Sequence, residues 1–428
     1  MKKYFPLFVF IFVQSLIQAQ TMHRCYTREL MQHREQQTPG YMQVVANHFN
    51  HLKEQSALRS SGDTIYRIRT VVHVVYTAAD ENIPDALIWD QLQVLNENFR
   101  RQTPDTARTR DIFQPFAADA GIEFYLADTD PDGNPTSGIT RTLGSPGFLG
   151  FEPFSDNVKA DATGGKNPWP TDRYLNIWVC NILNGFGILG YAFPPSDAPN
   201  WPAGSVTDSS KQGVVIHYTQ IGRNNPAALL PEVAEGRTTV HEVGHYLGLR
   251  HIWGDGDCTE DDGLEDTPDA ADASQQSCDT MQNTCTETGV EYPDMIENYM
   301  DYSDERCQNM FTHQQVGIMR ASLQGSRAGV ADILLTGMQE ENILSHSLKV
   351  FPNPVSTQLH IQWTISSPDV QHVGIVSADG RVVAEWHGAE CRRTVYSVAH
   401  LPSGLYTLRV AVAGHLIQQR LVKLPAAF

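Results

Sequence analysis

Beyond its N-terminal segment the chain has no apolar run approaching the ~20 residues a membrane-spanning helix needs, so no later segment reads as a transmembrane span. Positive charge is scarce: Lys plus Arg number 31 against 49 Asp plus Glu, a formal charge of −18. A surface of that sign repels phosphate backbones and excludes general nucleic-acid binding. No two cysteines stand in a C-x-x-C pair, which argues against a zinc site built on thiols alone. There is no internal repeat. The chain is 41% hydrophobic and 19% charged, enough apolar content for a sizeable core and too much for a disordered tail. Seven cysteines is an odd number, so at least one stays unpaired within a monomer.

The 428 residues suggest two or three folded units. Met1-Lys2-Lys3, an apolar run from Phe5 to Val13 and the small Ala19 fit a secretory signal peptide over 1–20. Export to a compartment where disulfides persist follows, with a soluble mature protein. Residues 21–59 are polar, rich in Gln, His and Arg, and show little periodicity, as in a pro-segment or linker. From Tyr66 to Tyr76 apolar residues alternate with Arg67, Arg69 and His73, the pattern of a half-buried strand. Ile88, Leu92, Leu95 and Phe99 recur at helical spacing after Pro84 and Asp85. Ile122–Leu126, Tyr174–Cys180 and Val214–His217 read as further strands. The expected catalytic domain, 60–344, is α/β, a five-stranded sheet with two long helices. From 345 to 428, short alternating runs punctuated by Asp379-Gly380 and Leu401-Pro-Ser-Gly404 indicate an all-β sandwich.

The chemistry concentrates in His241-Glu-Val-Gly-His245-Tyr-Leu-Gly-Leu-Arg-His251. Histidines at i and i+4 share one helix face and can bind one ion with Glu242 beside it. Gly248 can take the left-handed conformation that ends a helix, letting the chain turn and deliver His251. Three histidines leave a fourth tetrahedral position open to water, the geometry of a catalytic zinc site. Glu242 is placed as general base toward that water. His73 and His217, in strands, read as packing residues. Asp255 to Asp272 holds nine acids in eighteen residues with no Lys or Arg, directly after the zinc motif. Like charges so close repel unless a cation intervenes, and calcium suits a flexible oxygen-rich loop better than magnesium. Cys258, Cys278, Cys285 and Cys307 bracket this loop and allow three pairings. Cys180 and Cys391 read as buried thiols. Cys25, in His23-Arg24-Cys25-Tyr26, could supply a thiolate as fourth zinc ligand in place of water. Activation would then need a cut near Arg59-Ser60.

The eleven-residue signature is that of the metzincins, which also carry a downstream methionine turn, here Asn298-Tyr-Met300-Asp-Tyr302. Gly164-Gly165, Trp169, Tyr174–Val179, Gly190–Pro194 and Asn298–Asp304 resemble the pappalysin family over roughly residues 62 to 335. The resemblance implies Met300 as the floor beneath the zinc, Tyr302 as stabiliser of the tetrahedral intermediate, and Gly190–Phe193 as an edge strand aligning an extended substrate. It further implies calcium in the acidic loop, with Asp262, Glu265, Thr267 and Asp269 as candidate ligands, and disulfides Cys258–Cys285 and Cys278–Cys307. Pro-segment cysteines of relatives act as latency ligands, the role expected of Cys25. Arginine-specific relatives carry an acid where Arg306 stands, so a preference for acidic or polar side chains on the primed side is expected. Phe351-Pro-Asn-Pro354, Asp379–Val383, Leu401–Tyr406 and Arg420–Leu424 resemble the sorting domain of the type IX secretion system of Bacteroidetes. These features imply a zinc endopeptidase made as a latent zymogen, acting on protein or peptide substrates. It would be handled by that secretion machinery, released or attached to the outer-membrane surface, and monomeric. The alternative is a surface adhesin that keeps the fold without catalysis, which the intact Glu242 argues against.

Overall fold

The computed structural model describes residues 24–57, 64–144, 150–182, 187–195, 211–228, 230–287, 289–334, 348–363, 370–412 and 415–425. The expected signal segment, the expected cut near Arg59 and Ser60, and the expected boundary near residue 345 lie outside them. The chain divides into two compact units, one of Met1–Gly62 with Tyr66–Ile333, the other of Asp63–Ile65 with Leu334–Phe428.

The first unit opens with two helices, α1 (Thr27–Gln37) and α2 (Tyr41–Ala57). Residues 21–59 show little periodicity in sequence. Tyr41, Val44, His48, Phe49 and Leu52 of α2 are nevertheless buried at spacings of 3, 4, 1 and 3 residues, a narrow apolar stripe diluted by polar neighbours. Next come β1 (Ile65–Tyr76), α3 (Asp85–Phe99), the two-residue β2 (Ala117–Ala118), β3 (Ile122–Leu126), β4 (Ile139–Leu143), β5 (Leu175–Cys180), β6 (Gly190–Ala192) and β7 (Val214–His217). The unit ends with α4 (Arg237–Tyr246), β8 (Phe311–Thr312), α5 (His313–Gln324) and β9 (Ala331–Leu334). The sheet has seven strands: the path β3-β1-β5-β7-β6 carries the five expected, and β4 and β9, which the sequence did not mark, also pair with β1. Its long pairings are parallel, and β6 alone on this path runs antiparallel, at the edge beside β7. β5 and β7 are buried on both faces, which is why they read as continuous apolar runs. α5 starts with a capping box between Thr312 and Gln315.

The second unit contains β10 (Leu348–Phe351), β11 (Gln358–Trp363), β12 (Val370–Ser377), β13 (Val382–His387), β14 (Val395–Ser397), β15 (Gly404–Val412) and β16 (His415–Lys423). They form a three-stranded sheet, β10-β11-β14, and a four-stranded one, β13-β12-β15-β16, both antiparallel. Leu359, Ile375, Val398, Leu408 and Val410 form its core. No described helix is long and apolar enough to cross a membrane.

Candidate metal centre

All ten residues of α4 are buried, so the helix that carries His241, Glu242 and His245 runs through the interior. Two glycines permit the close approaches around it. A Cβ on Gly244 would lie 2.5 Å from Met300 Sδ, so the methionine turn packs directly against the helix. A Cβ on Gly190 would lie 2.9 Å from Glu242 Cγ, so the edge strand β6 passes beside the carboxylate. Gly248, at φ +105°, turns the chain past the helix end and brings back His251.

The three Nε2 atoms converge. His245 Nε2 lies 3.0 Å from both His241 and His251 Nε2, and the latter two are 3.3 Å apart. Their Nδ1 atoms face the Tyr299 carbonyl at 2.8 Å, the Leu249 carbonyl at 2.9 Å and Asp255 Oδ1 at 2.6 Å. These partners accept, so each Nδ1 carries the proton and each Nε2 presents a lone pair. Three lone pairs pointed at one another repel unless a cation lies between them. Donors bound at about 2.0–2.1 Å in a tetrahedron stand roughly 3.3 Å apart, close to the observed spacing. Burial holds His241 well below the ordinary imidazole range and His245 at about 3, so both are neutral donors.

Cys25 completes the cluster, its Sγ and the three histidine nitrogens all within 4.8 Å of one another. The segment around it pairs with β6: Cys25 bridges Gly190 in parallel, and Tyr26 N donates to Gly190 O at 3.1 Å. Thr27 Oγ1 accepts from Ala192 N at 3.0 Å. Cys25 Sγ and Thr27 Oγ1 lie 3.4 and 3.3 Å from Glu242 Oε2. Burial pushes the Glu242 carboxyl up to about 8, and burial with the neighbouring Glu242 raises the Cys25 thiol well above its usual range. Tyr302 Oη lies 3.3 Å from both His251 Nε2 and the Cys25 carbonyl.

Arg24 and Glu305 were missed by sequence reasoning. The Arg24 guanidinium is fully buried and donates to Glu305 Oε1 at 3.0 Å, to Gln308 Oε1 at 3.1 Å and to the Ser303 carbonyl. Arg306, expected to line the specificity pocket, is instead half exposed and ion-paired with Asp304. A step of one residue along this turn exchanges the buried side for the solvent side, so the acid that meets a guanidinium is the neighbour, Glu305. Asp255, read as part of the acidic loop, is the partner of His251. Its position four residues beyond the last histidine was the available signal.

Of the expected calcium ligands, Asp262 and Thr267 come together, with Thr267 Oγ1 donating to Asp262 Oδ1 at 2.8 Å. Asp262 is buried, its Oδ2 has no hydrogen-bond partner, and burial pushes its carboxyl up to about 8. Glu265 is exposed, and Asp269 is half-buried with its amide on Glu287. Among the described residues, no trio of acids from this loop brings its oxygens within 4.8 Å of one another. Disulfides join Cys258 to Cys285 and Cys278 to Cys307, and Cys180 and Cys391 are buried free thiols.

An α/β unit in which a histidine triad, a buried carboxylate and a methionine turn meet in this way defines a metallopeptidase. A family described as Pregnancy-associated plasma protein-A matches residues 157–324, and a secretion system C-terminal sorting domain matches residues 349–424. An extracellular metalloprotease of Pyricularia oryzae is 30% identical over 267 residues, covering 61% of this chain and 76% of that protein. One from Arthroderma gypseum is 29% identical, covering 61% and 73%. Among solved structures, mature mirolysin of Tannerella forsythia in complex with a cleaved peptide is 43% identical at a TM-score of 0.56, covering 64% of this chain and 96% of that one. A promirolysin mutant is 40% identical at 0.62, covering 72% and 97%. The chain belongs to the pappalysin family of metalloproteases and carries a type IX secretion sorting domain. It is a secreted metalloendopeptidase acting on peptides.

Proposed function

We propose that the chain is a zinc endopeptidase held latent by its own pro-segment. The convergence of three Nε2 lone pairs at 3.0–3.3 Å, each fixed through its Nδ1, is the observation that carries this reading. His241, His245 and His251 would hold the ion, which would polarise a peptide carbonyl and acidify water. Glu242 takes the proton from the attacking water and returns it to the leaving amine, and its burial beside β6 keeps it next to an extended backbone on that strand. Burial raises the Tyr302 phenol well above its usual range, so its hydroxyl serves as a proton-bearing donor to the developing oxyanion. Cys25 is the latency ligand: a cation among the histidines favours its thiolate, and the segment around it takes the backbone bonds of β6 that substrate needs.

The buried Arg24–Glu305 pair supports a pocket for a basic side chain next to the scissile bond, in place of the acidic or polar preference expected from Arg306. The orphan Asp262 Oδ2 supports a structural calcium in the acidic loop, with Asp262 and Thr267 as its first candidates. A calcium-selective chelator should then lower the melting temperature, and an unchanged melting curve would remove the calcium. Casein hydrolysis tests the central reading. Mature protein cleaves, Glu242→Ala does not, and full-length Cys25→Ala is active without processing. Equal hydrolysis by Glu242→Ala would overturn the general-base role, and a latent Cys25→Ala precursor would overturn the thiolate lock. A protein that binds the metal but cleaves nothing would be the adhesin.

A further inference from the structure

Among the described residues, a second set of metal donors lies in the C-terminal unit, on the face of β12 and β13 opposite the buried Val373 and Ile375. His372 and His387 are direct partners across the antiparallel ladder, and Glu385 lies two residues before His387 on the same face. Opposed residues carry Cβ atoms about 4.5–5.5 Å apart, near enough for two imidazoles to reach one ion. The ring centroids are 4.8 Å apart. Glu385 Oε1 lies 2.7 Å from His372 Nε2, and its Oε2 lies 3.5 Å from His387 Nε2. One nitrogen from each histidine and one carboxylate oxygen all fall within 4.8 Å of one another.

The space for this grouping comes from a missing side chain. Gly374 faces Glu385 across the ladder, and the His372 ring lies over it, so that a Cβ there would sit 3.0 Å from the ring's Cε1. The three side chains are 27%, 45% and 66% exposed for His372, Glu385 and His387, so an ion can enter from solvent and keep water in its other positions. Two imidazoles and a carboxylate suit zinc, copper(II) or nickel(II) and are poor for calcium or magnesium. Tetrahedral zinc asks for donors roughly 3.3 Å apart, and the two carboxylate oxygens approach the imidazoles to comparable distances, Oε1 to His372 at 2.7 Å and Oε2 to His387 at 3.5 Å.

We propose that His372, Glu385 and His387 form a divalent transition-metal site that clips β12 to β13. Compared with the histidine triad it is open to solvent, so it exchanges its ion more readily. A cluster that is only a histidine–carboxylate ion pair would have the same geometry without an ion, and the test must separate the two. Tag-free full-length Glu242→Ala protein, zinc-loaded at the catalytic centre and dialysed, is titrated with zinc by calorimetry in calcium-containing buffer. One further equivalent binds. His372→Ala and His387→Ala each weaken it at least about tenfold, while His400→Ala, at an exposed histidine of the same unit, leaves it unchanged. Because the substituted histidines are solvent-reachable, circular dichroism should show an intact fold in every variant. The absence of a further equivalent overturns the site. So does an equivalent that survives in the His372→Ala/His387→Ala double variant.

Discussion

The two units bury different chemistry. Among the described residues, the catalytic unit hides His241, Glu242, His245, His251, Arg24, Asp262, Arg237, Asp301 and Glu305, whereas Lys423 is the single buried polar side chain in the C-terminal unit. A buried polar group costs free energy unless it is paired, so a region that accumulates them must supply partners from many elements. The catalytic unit does so: Glu305 alone accepts from Arg24, Thr238 and the amides of Glu235 and Arg237, tying the N-terminal segment to the start of α4. The C-terminal sandwich needs only apolar packing, in keeping with a part that is read as an export address. Most of its other charged side chains reach solvent, including the histidines of the proposed second metal site.

The contrast predicts where substitutions act through charge and where they act through volume. The largest effect is expected at Glu305. Removing one partner of a buried, hydrogen-bonded charge pair costs about 2–5 kcal/mol. Glu305→Gln should therefore collapse a preference for peptides with arginine beside the cut, read as a ratio of kcat/KM against a leucine peptide. An unchanged ratio would assign the preference elsewhere.

Next comes His73, fully buried between Thr140 and Asn176, whose pKa burial lowers to about 4. As pH falls from about 6.5 the unfolded chain takes up this proton first, so stability present above 6.5 is lost down to about 4. The loss is roughly 3 kcal/mol. His73→Gln should make the acid limb of urea stability shallower by that proton, and an unaltered slope would contradict it. A smaller change is expected from Asp255→Asn, which weakens the orienting bond to His251 and should cost about 10–100-fold in affinity for the catalytic metal. Metal analysis after graded chelation reads that loss, and full retention would count against Asp255 as the orienting partner. The smallest belongs to the other unit. Ile375→Val in the apolar core should destabilise by about 0.5–1.5 kcal/mol with no pH dependence, checked by denaturation at two pH values. A pH-dependent effect there would blur the comparison.

Much of the sheet was legible from its pattern: Ile122–Leu126 falls where alternation places it, and Val214–His217, buried on both faces, where an apolar run does. Helices α1 and α2 were not legible, since their apolar stripe is narrow and its meaning depends on the surface it packs against. Gly248 at φ +105° turns as a glycine after the helix should. Arg306 misled because which of two adjacent side chains points inward is a property of the folded turn.

What the sequence determined by itself is local. Histidines at i and i+4, a glycine three residues on and a third histidine three beyond that need only helix geometry and one left-handed residue to converge. The apolar alternation of the strands and the turns of the tail are equally short-range. Only the tertiary structure brought Cys25 to the triad, Arg24 to Glu305 some 281 positions away, and His372 into register with His387. Those contacts depend on which surfaces bury each other and on strand register. No window of sequence encodes either, because each is settled by the packing of the whole unit.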